Sequence, residues 1–225
     1  MAFISLSDPK ITAPYLSAID CTLDGGKAIY CSSELTSGRR LYNALRARGV
    51  TSEDELKERL GKELYKEWRQ KNVVNVNNSW ASKFATFVRH SQNDGTLVIN
   101  PGPLSDPRWG QDEYLAFWEE LIRTRVTEVR FNQNWQFSNG CTFEFAVALD
   151  ASIPTLDSHE YELGADEAVE SVEKAAAKLE GEGFSIPKLR ANLDRLRSLT
   201  NLLPANHARP LPDRTNGNGN GLSAR

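Results

Sequence analysis

The chain has 225 residues, 40% hydrophobic and 25% charged, with a formal net charge of -3. That length can bury a sizeable core and suits one catalytic domain with a helical appendage, while the slight negative balance provides no field to draw in a polyanion, so a nucleic-acid partner is not expected. The longest apolar stretches, such as Phe143 to Leu149, fall far short of the ~20 residues needed to cross a bilayer, which excludes a membrane partner.

The N-terminus, beginning Met1-Ala2-Phe3-Ile4-Ser5, lacks the basic start and sustained apolar stretch of a signal peptide. Cys21, Cys31 and Cys141 are too few and too scattered for a disulfide framework or a zinc site, and three free thiols in a cytoplasmic protein is the expectation. Residues 1–26 mix short apolar groups with Pro9, Pro14, Gly25 and Gly26, and read as an extension that packs on the body. Lys27 to Ser33 reads as a short buried strand, followed by a helix from Leu35 to Arg48 with Leu41, Ala44 and Leu45 at helical spacing and Gly49 as its stop. Thr51 to Glu55 forms a helix start with acidic residues in the first turn, and Leu56, Leu60, Leu64 and Trp68 continue one apolar stripe, a helix read as a peripheral insertion.

A further helix, about Trp80 to His90, precedes the strand Thr96 to Asn100, which ends at Pro101-Gly102-Pro103. Gln111 to Arg125 places Tyr114, Leu115, Trp118, Leu121 and Ile122 on one helical face; the strand Val126 to Phe131, a helix from Asn139 to Ala151 and a short strand Ile153 to Leu156 follow. Strands alternating with helices predict an α/β fold with a mostly parallel sheet covered on both faces. Two helices are expected between Ala165 and Leu203, broken near Gly181 to Pro187, with Leu189, Leu193, Leu196 and Leu199 as a packing face on the domain or on a second subunit. The Pro- and Asn-Gly-rich stretch 205–225 has the composition of a disordered tail.

The segment Asn134 to Leu149 carries the most chemistry. Ser138 stands as a helix N-cap, where its hydroxyl and the amides behind it can hold an anion, and Gly140 lets that anion approach the backbone. Glu144 follows amid Phe143, Phe145, Ala146, Val147, Ala148 and Leu149, the signature of a helix buried on most of its circumference. An unpaired buried charge is strongly unfavourable, so this carboxylate either pairs with an arginine such as Arg39, Arg40 or Arg130, or faces a cleft where its perturbed ionisation is useful. The six-residue offset from Ser138 favours the cleft: an anchor at the helix start and a carboxylate deeper in are what glycosidic chemistry needs, because departure of a base leaves positive charge on the anomeric carbon. Ser32-Ser33-Glu34-Leu35-Thr36-Ser37-Gly38-Arg39-Arg40 reads either as a phosphate-binding turn, with Arg39 or Arg40 as clamp, or as ordinary helix capping. Trp109, Trp118 and Trp135 are candidates for stacking on a base, with Trp118 read as core. His90, His159 and His207 have no ligand spacing, so no metal is expected.

The pattern Ser138-x-Gly140-x-x-x-Glu144-x-x-x-Ala148 after a strand, with the strand ends Tyr30-Cys31-Ser32-Ser33 and Asn100-Pro101, resembles the nucleoside 2-deoxyribosyltransferase superfamily, which includes nucleoside 5'-monophosphate N-hydrolases. The resemblance covers residues 27–157, leaving 1–26 as an extension and 158–204 as C-terminal helices. It implies a flavodoxin-like fold, Glu144 as nucleophile, Ser138, Asn139 and Gly140 at the 5' end of a nucleoside or nucleotide, and Tyr30, Ser32 and Ser33 along the sugar pocket. It implies no cofactor, and a homodimer or higher homo-oligomer. Relatives carry an Asp near the start of the helix before the nucleophile's strand; here Asp112, Glu113 and Glu119 compete for that place, with Asp112 favoured. Ser138, Cys141 and Glu144 also match the spacing in TIR-type NAD-cleaving domains. Both resemblances point to cleavage of an N-glycosidic bond, against the alternative of a non-catalytic nucleotide-sensing module that docks partners through the Leu189 to Leu199 helix.

Overall fold

The computed structural model describes residues 9–23, 26, 28–92, 95–104 and 109–202. The expected tail at 205–225 and part of the Pro101 to Trp109 loop lie outside the described residues.

Strands β1 (Ala28–Ser32), β2 (Leu97–Ile99), β3 (Val126–Phe131) and β4 (Thr155–Leu156) form one parallel sheet in the order β2-β1-β3-β4. The fold is α/β and flavodoxin-like. From β1 the chain moves to one neighbour, β2, and then crosses to the other side to lay down β3. The carboxyl ends of β1 and β3 therefore open the crevice that such a reversal of direction creates.

Because strand side chains alternate between faces, β1 serves two cores at once. Ile29 and Cys31 join Val98 against Phe84, Ala85 and Val88 of helix α5 (Asn75–Ser91). Ala28 and Tyr30 face the larger core, packed by helices α6 (Gln111–Arg125) and α7 (Asn139–Asp150). There Phe131 meets Trp135 and Phe145 at ring separations of 5.1 and 5.2 Å, and Trp135 stacks on Phe145 at 5.0 Å.

Three local departures from the sequence reading have physical causes. The N-terminal segment forms a helix, α1 (Pro9–Leu23), despite Pro14, because Leu16, Ile19 and Leu23 lie on one side and pack on the core; Arg125 of α6 clasps Asp20 at 2.6 and 2.8 Å. The helix after β1 is shorter than expected, α2 (Arg39–Arg46), because residues 33–38 make an irregular turn. The stripe from Leu56 to Trp68 is split into α3 (Glu53–Leu60) and α4 (Lys62–Arg69) at Gly61, whose φ of 77° lies in the left-handed region that glycine accepts without strain. α3 does begin as read, with Ser52 Oγ accepting from the Glu55 amide at 3.1 Å.

α4 runs through a π-helical turn, Gln70–Val74, directly into α5, so the presumed peripheral insertion leads to the site. Buried Asn77, at the start of α5, donates to the Leu35 carbonyl at 3.0 Å and accepts from Arg40 Nε at 3.2 Å, tying α5 to the turn after β1.

Helices α8 (Ala165–Gly181) and α9 (Pro187–Leu202) pack on each other, with α9 lying against α7. Leu189, Leu193 and Leu196 are fully buried in the same cluster as the sheet. The leucine stripe is thus an internal packing face, which removes it as the docking surface of a binding module. Among the described residues no helix is long and apolar enough to cross a membrane.

Leu193→Ala is expected to cost about 2–5 kcal/mol in urea unfolding, because it opens a cavity inside the core. Leu202→Ala, at a site 80% exposed on the same helix, should stay within about 0.5 kcal/mol of the parent. Equal, small effects would mean that α9 does not pack on the domain.

Candidate active site

The site lies where the carboxyl end of β1 meets the amino end of α7. Tyr30 and Ser32, two apart on β1, share one face, and α7 brings Glu144 over that face. The Tyr30 hydroxyl donates to Glu144 Oε1 at 2.8 Å and Ser32 Oγ donates to Oε2 at 2.6 Å. Each carboxylate oxygen therefore has one donor, in a residue only 7% exposed. No arginine is involved: Arg130 is held by Glu128 at 2.5 Å and Glu160 at 2.6 Å, Arg40 turns to Asn77, and Arg39 turns to Asn134.

Burial pushes the Glu144 carboxyl up to about 7, against the opposing pull of the Ser32 and Tyr30 hydrogen bonds, which favour the ionised form. Burial and the neighbouring carboxylate raise the Tyr30 phenol well above its ordinary range, so it remains a donor. The Cys141 thiol, one turn before Glu144, is likewise raised by burial and then by Glu144, which keeps it protonated and unreactive. Cys31, on the opposite face of β1, is raised by burial to about 12.

The surrounding shell holds α7 in place. Ser138 caps it by accepting from the Cys141 amide at 3.4 Å. Ser37, from the turn after β1, accepts from the Asn139 amide at 3.2 Å and lies 3.3 Å from the Ser138 hydroxyl. From α9, Asn192 donates to the Asn139 carbonyl at 2.8 Å and to Thr142 Oγ1 at 2.9 Å. Ser33 Oγ and Asn139 Oδ1 are buried without a hydrogen-bond partner, an uncommon condition for buried polar atoms. A methyl group placed on Gly140 meets nothing nearer than Ser138 Oγ at 3.9 Å, so the space beside this turn is open.

The turn expected to bind phosphate carries its own carboxyl group. Glu34 Oε1 accepts from the Arg39 amide at 2.6 Å, occupying the start of α2. Gly38, with φ of 112°, permits this fold-back, since a Cβ there would lie 2.4 Å from the Glu34 carboxyl. The exposed Arg39 donates to Asn134 Oδ1 at 2.9 Å and covers the Phe137 ring at 5.7 Å. Beside this turn opens a cleft of about 910 Å³, lined among others by Glu34, Arg39, Arg40, Trp80, Lys83 and Asn134. Glu144 does not line this cleft.

The α6 carboxylates make no hydrogen bond to Glu144 or to its two hydroxyl partners. Asp112 is exposed in the first turn and makes no hydrogen bond or ion pair with Tyr30, Ser32 or Glu144. Glu113 caps its own helix through the Gly110 amide at 2.9 Å, and Glu119 is held by Arg123 at 3.0 Å. Trp109 packs edge-on to Tyr15 at 4.8 Å and lies 5.0 Å from Phe117, within an aromatic cluster between α1 and α6. Trp118 and Trp135 are core. Among the described residues no cluster of His, Cys, Asp and Glu could hold a metal.

Of the residues read from the sequence, the structure joins Tyr30 and Ser32 to Glu144 and sets Ser138 and Asn139 at the start of the same helix. Sequence reasoning missed Ser37, Asn77 and Asn192, polar residues in turns and helices whose roles depend on partners far away in the chain. Glu34 had a detectable signal, an acidic residue just ahead of a helix start with glycine four positions on. Comparison of the chain with protein-family models, curated proteins and solved structures finds no match.

A carboxyl raised from its ordinary 4.5 to about 7 binds its proton more tightly folded than unfolded, so its contribution makes stability fall as pH rises through that window. Glu144→Gln is neutral throughout. Its thermal stability should match the parent near pH 4.5 and exceed it increasingly up to about pH 8, by on the order of 3 kcal/mol at most. A pH-independent difference would contradict the burial of a titrating carboxyl.

Proposed function

We propose that the protein cleaves the bond between base and sugar in a nucleoside or nucleoside 5'-monophosphate, with Glu144 as the nucleophile, and either hydrolyses the sugar intermediate or passes it to a second base. The observation that carries this reading is the Glu144 carboxylate at the mouth of the β1/β3 reversal, with both oxygens positioned by the hydroxyls of Tyr30 and Ser32. A structural glutamate in a core is normally neutralised by a cation; this one has only neutral donors, which orient it and leave its charge available. As base and sugar separate, positive charge grows on the anomeric carbon, and a carboxylate in a water-poor site stabilises that charge strongly or bonds to it.

The unpartnered Ser33 and Asn139 side chains and the open space beside Gly140 support a sugar and its 5' substituent at the start of α7. Arg39 supports an anionic group nearby. The seclusion of Glu144, only 7% exposed, favours a second reading, a nucleotide-binding module without turnover.

A chromatographic screen for free base, using common ribo- and deoxyribonucleosides, their 5'-monophosphates and NAD, each with and without an acceptor base, separates these readings. Glu144→Gln and Glu144→Ala should remain folded and lose base release by roughly three orders of magnitude or more. Full activity in either variant rejects the nucleophile, and thermal stabilisation by a ligand without release of base favours the binding module.

The nucleophile works ionised, so kcat/KM should rise with pH with an acid limb near 7. Tyr30→Phe removes a hydrogen bond that lowers the Glu144 pKa and should move that limb upward. An unchanged or lowered limb would show that Tyr30 does not tune the carboxylate.

A further inference from the structure

Resting on the N-glycoside reading above, we propose that Glu34 is the proton donor to the leaving base and then the base that activates water. Cleavage by Glu144 alone expels a base as its anion, which is costly; a second group that supplies a proton removes this cost. The α6 carboxylates are occupied elsewhere or exposed. Glu34 is placed differently. It lies two residues beyond Ser32, whose hydroxyl touches Glu144, and it lines the cleft that opens beside the site. The turn that carries Glu34 lies against the start of α7, since Ser37 accepts from the Asn139 amide at 3.2 Å and lies 3.3 Å from the Ser138 hydroxyl.

The turn is built to keep Glu34 there. Its carboxyl folds under Gly38, where no side chain fits, and accepts the Arg39 amide through one oxygen, Oε1. Burial raises it to about 7, although the Arg39 and Arg40 amides and guanidinium groups act to lower it. Tyr42 of α2 and Cys141 of α7 also sense this carboxyl, and Lys83 of α5 and His159 from the loop after β4 share its cleft. A carboxylate serving only as a helix cap is normally ionised and exposed at the surface; one secluded in a cleft wall near neutrality can both hold and release a proton.

The step balances as follows. The bond from the anomeric carbon to the base nitrogen breaks, its electron pair going to the base, which takes the proton of the Glu34 carboxyl. A Glu144 oxygen bonds to the anomeric carbon. Water then attacks that carbon, giving its proton to the Glu34 carboxylate, and the bond to Glu144 breaks, restoring both groups.

Glu34→Gln keeps an oxygen for the Arg39 amide but has no acidic proton. It should lower base release from the nucleosides and nucleotides of the screen by about 100-fold or more. The first-turnover burst of nitrophenol from a nitrophenyl ribofuranoside or deoxyribofuranoside, whose leaving group departs without protonation, should keep its rate, while later turnovers slow because water attack on the Glu144 intermediate still needs Glu34. The alkaline limb of kcat/KM near 7 should disappear in the variant, and Glu34→Asp should restore part of the rate. Equal loss of base release and of the nitrophenol burst would assign Glu34 a structural role, and full activity on both substrate types would leave it no role; either overturns the proposal. In each of those cases a dead Glu144→Gln leaves the N-glycoside reading standing, whereas an active Glu144→Gln removes that reading itself.

Discussion

The carboxylate of Glu144, fixed by one hydroxyl on each oxygen, constrains everything around it. A charge in a protein interior has to be paired, neutralised by a proton or surrounded by donors. Here the donors come from a strand and the carboxylate from a helix, so the packing distance between sheet and helix is set by polar contacts as well as by apolar ones. Tyr30 fills two roles at once, since its ring packs on Trp118 at 5.6 Å while its hydroxyl faces the carboxylate. The two hydroxyls fall short of matching the solvation lost on burial, and the carboxyl is held near neutrality as a result.

Much of the remaining architecture keeps α7 from moving away from that contact. The helix is anchored at its start by Ser138 and Ser37, braced by Asn192 from α9, and wedged from below by Phe145 against Phe131 and Trp135. The C-terminal helices, which bring no charged group to Glu144, contribute rigidity through fully buried leucines. On the other side of the sheet, α5 reaches back through Asn77 to hold the turn after β1. Geometry at a reacting centre depends on such supporting contacts, because a positioning error of about 1 Å can cost on the order of 100-fold in rate.

Two carboxyl groups near neutrality at one strand-end arise from the same cause, burial, but with different neighbours. Glu144 sees only neutral hydroxyls, whereas Glu34 sees a backbone amide and two guanidinium groups at moderate range. Differences of this kind between neighbours allow two buried carboxyl groups to respond differently to a change in their surroundings.

The sequence by itself determined the order of the strands and of most helices, the parallel α/β architecture and the burial of Glu144, because these follow from local patterns: the period of apolar residues, capping residues, and a lone carboxylate in a helix otherwise apolar on nearly every side. The helix bounds Gln111–Arg125 and the strand bounds Val126–Phe131 are legible for that reason. Only the tertiary structure decided what Glu144 touches. Tyr30 and Ser32 lie 114 and 112 positions away, and nothing local chooses between them and an arginine. It also decided that the leucines of α9 are internal, that Asp112 is exposed, and that Glu34 folds under Gly38 into a cleft wall. Local periodicity fixes which face of an element is apolar, but the identity of its partner is set by long-range packing, which a single sequence does not display.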